Sequence, residues 1–289
     1  MNKTLALALL AVLTRPAVAA LNGEELKKIL GRAVVENHGE FKVMVPRTDL
    51  DVAVDGFKIT PAMGLTAWIA FAPHGEDAMM MGDLVLTENE VPRAQSAAIA
   101  AGLSITAIHN HFLRDKPKLM FMHVGGMGKP AEMAAAARKV LDSFAPDAGA
   151  KVAAVDSSLD GKALDEIIGH AGATDGGVHK IVIGRPDVAA AHGGTALDSF
   201  MGLNTWMAFQ GTPRKAAVAG DFAMLDGEVP GVIRALVSRG VQIAAVHNHM
   251  IGETPRITFL HFWGVGPAAD LAKALRAALD QTGTDKKAP

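Results

Sequence analysis

The chain has 289 residues, 49% of them hydrophobic and 20% charged, which is enough for two domains of ordinary size. A net charge of -2 offers no basic surplus for nucleic acid. The absence of cysteine and tyrosine excludes disulfides, thiolate metal sites, cysteine nucleophiles and phenolic acids or bases.

The N-terminus has the form of a secretory signal peptide. Lys3 precedes an apolar run from Leu5 to Leu13, and Ala17-Val18-Ala19 then supplies small residues for cleavage. Residues 1–20 are expected to be removed, leaving an exported protein, periplasmic or secreted, with no membrane segment after removal.

A shift of 138 residues, from Gly23 to Gly161, aligns the chain with itself. Arg47 and Asp49 meet Arg185 and Asp187, Trp68 meets Trp206, and Gly82-Asp83 meets Gly220-Asp221. Glu90-Val91-Pro92 meets Glu228-Val229-Pro230, and His109-Asn110-His111 meets His247-Asn248-His249. The expected layout is a first repeat domain over 21–144, a linker over 145–160, a second repeat domain over 161–281 and a frayed polar tail over 282–289. Gap-free copies are expected to pack as a pseudo-twofold pair.

In chain order, the apolar stripe Leu26, Ile29, Leu30 and Ala33 predicts a helix over Glu24–Val35. Strands follow over Phe41–Val45, Leu65–Phe71 and Ala78–Leu86. A helix opens at Glu90-Val91-Pro92, with Pro in its first turn, and stops at Gly102. A strand over Leu103–His111, a loop holding Pro117, a strand over Leu119–Val124 and a helix over Ala131–Phe144 complete the copy. Hairpins mixed with helices give an α+β fold of two tandem homologous domains, each a mainly antiparallel sheet with helices.

The chemistry concentrates in the last hairpin. Side chains alternate along a strand, so His109 and His111 share a face and Asn110 points away. With the turn centred on residue 116, His123 stands directly across from His109. His247, His249 and His261 repeat the pattern. Six of the eleven histidines thus fall at two identical spacings. Three imidazoles with an open position suit a catalytic divalent metal, with one ion expected per repeat; this is a recognised layout for zinc, the first expectation, and imidazole also takes copper, iron and nickel, so ligand type does not fix the metal. The competing reading is three structural histidines.

Asp83/Asp221 and Glu90/Glu228 are candidates for a fourth ligand, a carboxylate that orients an imidazole, or a general acid or base. Asp83 also suits a turn, and Glu90 a helix N-terminus. Asp115 and Glu253, with Lys118 and Arg256 three residues on, are either a solvated loop or a charged flank for an anionic substrate. Trp68 and Trp206 are expected in the core rather than as a ligand platform. Met79-Met80-Met81 faces Ala217-Val218-Ala219 in the other copy, which favours packing over copper binding.

The elements Gly82-Asp83, Glu90-Val91-Pro92, His109-Asn110-His111 and Phe121-x-His123 resemble the LppY/LpqO family of exported bacterial proteins. The second copy, His247-Asn248-His249 through Phe259-Leu260-His261, resembles it more closely. The spacing His-x-His, then His about a dozen residues on, also resembles α-acetolactate decarboxylase and the plant- and prokaryote-conserved domain. That second resemblance implies zinc on His109, His111 and His123. The spacer here is one residue longer, and Phe121-Met122 stands where the decarboxylase has Gly-Gly.

Three functions are compatible with these residues. The first is a metal-dependent enzyme, a lyase or hydrolase, acting on a small oxygen-rich molecule. The second is a non-catalytic periplasmic metal- or small-ligand-binding protein. The third is a structural histidine hairpin.

Overall fold

The structure, a computed structural model, describes residues 21–146 and 154–284. The expected signal peptide (1–20) and residues 285–289 of the tail lie outside the described residues, as does part of the linker.

Gly31, in the left-handed region at φ 65°, ends the first helix, α1 (Gly23–Leu30), sooner than the apolar stripe suggests, and Asn22 caps its start. The chain then forms β1 (Val35–Asn37), β2 (Glu40–Pro46), a short arm of β3 (Val52–Val54) and β4 (Phe57–Ile59), and the long hairpin β5 (Thr66–His74) and β6 (Asp77–Thr87). Next come α2 (Val91–Ala100), β7 (Ser104–His109), β8 (Asp115–Lys116), β9 (Leu119–Gly128) and α3 (Pro130–Leu141). The second copy repeats the order. It runs through α4 (Gly161–Ile168), β10 (Gly172–Asp175), β11 (Val178–Gly184), the arm β12 (Ala190–His192) and β13 (Thr195–Leu197), then β14 (Asn204–Thr212) and β15 (Lys215–Leu225). It closes with α5 (Val229–Val237), β16 (Gln242–His247), β17 (Ile257–Gly266) and α6 (Ala268–Leu279).

Each repeat is a six-stranded antiparallel sheet, ordered β1-β2-β5-β6-β9-β7 and β10-β11-β14-β15-β17-β16. The expected α+β fold of two tandem homologous domains is what the chain adopts. Helices cover one face of each sheet, where Leu30, Val43, Leu84, Ala137 and Leu141 form a core.

The other faces of the two sheets meet each other. Each arm reaches across the junction. Val52, Val54 and Ile59 of the first arm share a core with Ala208, Ala217 and Ala219 of the second sheet. Val188, Ala190 and Leu197 of the second arm pack against Ala70, Ala72, Met79 and Met81 of the first. Both Met79 and Met81 are thereby spent on packing.

The reciprocity is visible in single residues. Gly64 (φ 114°) lies under Trp206, and Gly202 (φ 100°) lies under Trp68, so each indole crosses to the other repeat. Polar ties also cross the junction: Thr106 Oγ1 donates to the His249 carbonyl at 2.6 Å, and Gln210 Nε2 to the Lys58 carbonyl at 2.7 Å.

The start of the expected frayed tail is held. Thr282 and Thr284 are buried, and the Gly283 N–H donates to Glu228 at 2.6 Å.

Candidate metal centre

Cross-strand register decides what faces the junction. Trp68 pairs with Asp83, and Asp83 with His123, so all three share one face of the first sheet. Trp206, Asp221 and His261 form the same row in the second. Both rows lie on the face turned toward the other repeat. The tryptophans are therefore not in the helix-covered core, as their apolar strands suggested.

The register of the histidine hairpin differs from the expected one. Ala107, not His109, lies across from His123, and His109 pairs with Phe121; a bulge between Ile105 and Ala107 puts His109 on the same face as His123. The same shift occurs between Ile243 and Ala245. One inserted residue bends the strand and re-aims the side chains beyond it. His111 and His249 lie past the strand ends.

The consequence is one composite cluster rather than one triad per repeat. The rings of His109 and His247 stack at 3.6 Å between centroids, and those of His111 and His261 at 3.6 Å. His123 meets His249 at 4.1 Å. Each His-x-His pair thus lies against the third histidine of the other copy. Three sets have nitrogens within 4.8 Å of one another: His109, His111 and His261; His109, His123 and His247; and His247, His249 and His261. Two of the three mix the repeats; the third is the expected triad of the second copy, His247, His249 and His261, whereas the expected triad His109, His111 and His123 is not among them. The two inner faces stack directly, so the shortest paths between imidazoles run across the junction.

Asp83 and Asp221 belong to the cluster. Asp83 Oδ2 is 3.8 Å from His111 Nε2, and Asp221 Oδ2 is 3.6 Å from His249 Nε2 and 3.9 Å from His261 Nε2. Leu260 N–H donates to the other oxygen of Asp221 at 3.1 Å.

The donors are buried and unspent. Nine imidazole nitrogens of the cluster are buried with no hydrogen-bond partner among the described residues: both of His109, His111 and His261, and Nδ1 of His123, His247 and His249. An orphaned buried polar atom costs about 1–3 kcal/mol. A neutral imidazole offers one lone pair, and a cation bound by it recovers part of that cost. The His123 and His247 Nε2 atoms stand 3.3 Å apart, which matches the edge of a tetrahedron with zinc–nitrogen bonds of about 2.0–2.1 Å.

Electrostatics favour the ligand forms. Burial pushes His109 down to about 4 and holds His111, His123, His249 and His261 well below the usual imidazole range, with repulsion among the rings adding to it. The rings are therefore neutral with lone pairs available. Burial raises Asp83 and Asp221 well above the carboxylate range, and the charge of Asp83 raises Asp221 further. A divalent cation beside them reverses that penalty.

Glu90 and Glu228 belong to a different duplicated network. Arg47, fully buried, donates to both Glu90 oxygens at 3.0 Å, to both Asp49 oxygens, and to the Val85 carbonyl. Glu90 also accepts from the Thr87 N–H at 2.8 Å, while Arg185, Asp187 and Glu228 repeat the arrangement. These glutamates anchor the turn before α2 and α5 and do not line the cavity. Asp115 and Glu253 are loop anchors as well. Asp115 accepts from the Leu119 N–H and from Lys118, and Glu253 from the Ile257 N–H.

A cavity of about 530 Å³ opens beside the cluster, between the repeats. Asp83, Asp221, His111, His249 and His261 form one wall. Sequence reasoning missed most of the rest: Lys42 and Lys180, the faces of Trp68 and Trp206, and Asp198. Lys42 Nζ lies 4.6 Å from the Trp68 ring and Lys180 Nζ 4.3 Å from the Trp206 ring. Lys42 and Lys180 stand at the 138-residue offset, so the repeat alignment held the signal that would have found them.

Comparison with known proteins identifies the repeat. A family model described as Domain of Unknown Function (DUF1259) matches residues 24–143 and again 162–281, so the chain belongs to that family as a tandem pair. No curated protein matches the sequence. Two solved structures show weak similarity. EtuB from Clostridium kluyveri has 11% identity over 86% of this chain and 90% of its own, with a TM-score of 0.20. The trimeric bacterial microcompartment shell protein PduB has 13% identity over 86% and 89%, with a TM-score of 0.21. At such scores neither likeness bears on fold or function.

Proposed function

We propose that this tandem DUF1259 chain is an exported divalent-metal protein whose metal centre is shared by its two repeats and serves a small oxygen-rich substrate in the adjoining cavity. The observation that carries the reading is the set of buried, unpartnered imidazole nitrogens contributed by both copies. The ligands are drawn from His109, His111, His123, His247, His249 and His261, three to a set. Asp83 and Asp221 complete the donor set or orient the rings. Zinc suits neutral imidazoles with a carboxylate best among the common divalent ions. A bound ion supplies Lewis acidity of the kind lyases and hydrolases use.

The cavity favours an enzyme over a buffering protein, because a storage site gains nothing from open space against its ligands. Export rests on the signal-peptide pattern at residues 1–20 and on the resemblance to the LppY/LpqO family. Metal analysis of the purified mature chain tests the reading. At least one tightly held divalent ion per chain is expected, with loss of binding when all six histidines become alanine. Less than one ion per chain, unchanged in that variant, refutes it.

A further inference from the structure

The two lysines at the cavity are equivalent by repeat and unequal by environment. Lys42 lies over both Trp68 and Phe200 and has acidic company, because Asp198 and Glu40 act on it. Lys180 lies over Trp206 alone, and no carboxylate of the described residues offsets it. The reason is in the sequence: at the 138-residue offset, Glu40 becomes Val178, and Asp198 corresponds to Thr60.

The two ammonium groups are close enough to repel, which adds positive potential on this side of the cavity. A partly buried cation without a counter-charge is costly, and proteins place one where an anion will complete it. Burial pushes both lysines down to about 8, so what separates them is their neighbours and not their titration. The ring neighbour of Lys180 cannot supply the missing charge. His111, His249 and His261 line the same cavity, so a molecule filling it reaches both Lys180 and the proposed metal ligands.

We propose that the cavity takes a small organic anion, a carboxylate, seated on Lys180 beside Trp206 with its other oxygens turned toward the histidine cluster. The inference deepens the proposed function and rests on it, in that the cavity is taken as the working side of the metal centre. It also makes the repeats unequal: the second copy supplies the anion subsite, while Asp198 and Glu40 mask the corresponding lysine of the first. A cavity of about 530 Å³ lies within the range of small-molecule sites.

The test uses the full mature chain with succinate and pyruvate as probes and their methyl esters as neutral controls. Binding is followed by tryptophan fluorescence and by protection of Lys180 from amine acylation. The anions are expected to bind about tenfold or more tighter than the esters and to protect Lys180. Lys180→Met should remove about tenfold or more of that affinity with metal content unchanged, and Lys180→Arg should keep most of it. Equal binding of acids and esters, or wild-type anion affinity in Lys180→Met, overturns the inference. Metal content measured on the same samples separates the two readings. If no metal is held, the metal reading fails by itself, and the same comparison on that protein still decides the Lys180 subsite.

Discussion

Replacing Glu90 by alanine separates a catalytic glutamate from an anchoring one. In the folded chain its two oxygens take two bonds from the buried guanidinium of Arg47, one from Arg93 and one from the Thr87 N–H. Removing the carboxylate leaves Arg47 buried with only Asp49 and the Val85 carbonyl as partners. Breaking a buried pair from one side costs about 3–5 kcal/mol, and the surviving Asp49 contact places this case toward the lower end. For a protein of this size, 1 kcal/mol moves Tm by about 2–4 °C, so a drop of about 6–20 °C is expected by calorimetry. Metal content per folded chain should not change, because Glu90 touches no histidine of the cluster. A variant with wild-type Tm that binds less metal would refute the assignment of Glu90 to the Arg47 network.

Other perturbations probe the same structure. Gly202→Ala adds a methyl about 3.1 Å from the Trp68 indole at a φ of 100°, and Gly64→Ala does the same against Trp206. Each should destabilise by about 1–3 kcal/mol in urea titrations and perturb tryptophan fluorescence, whereas Gly75→Ala, which meets nothing within 4 Å, should cost less. Burial and the neighbouring charge of Asp198 raise Glu40 to about 7. Its contribution is therefore fully present below its unfolded value near 4.5 and is lost as pH rises through about 7. Glu40→Gln should match the wild type at pH 4.5 and exceed it in stability at pH 8, and a constant difference between those pH values would contradict the cause given for the shift.

The duplication was legible because both copies kept their turns and their histidines at one offset, and the α+β order of helices and strands came from periodicity and from Gly31 and Gly102. The arms were not legible. Val52–Val54 and Phe57–Ile59 are three residues each, too short for a pattern, and owe their burial to the other repeat. The histidines could be chosen from sequence, but not their partners. The pairing of His109 with Phe121 depends on the loop length and a bulge before Ala107, and the meeting of His109 with His247 depends on how two sheets stack, which no local signal encodes. Trp68 and Trp206 were placed in the core because their strands are apolar on both faces, and only the rows through Asp83 and Asp221 reveal which face they occupy. Glu90 looked catalytic because its partner lies 43 residues away, although Arg47 and Arg185 recur at the repeat offset.

The central claim is that the repeats share one metal centre. The double variant His247→Ala, His261→Ala tests it most directly. It leaves His109, His111 and His123 intact but removes at least one ligand from every set of nitrogens within 4.8 Å. Metal titration of the folded variant should show loss of tight binding by more than the about 10–100-fold that an outer-shell partner is worth. The converse variant, His109→Ala with His123→Ala, takes ligands from both mixed sets and leaves only His247, His249 and His261 together, so it should bind the ion more weakly than the wild type. Half the wild-type metal held at wild-type affinity by the His247→Ala, His261→Ala protein would mean that each repeat binds its own ion, and would contradict the account.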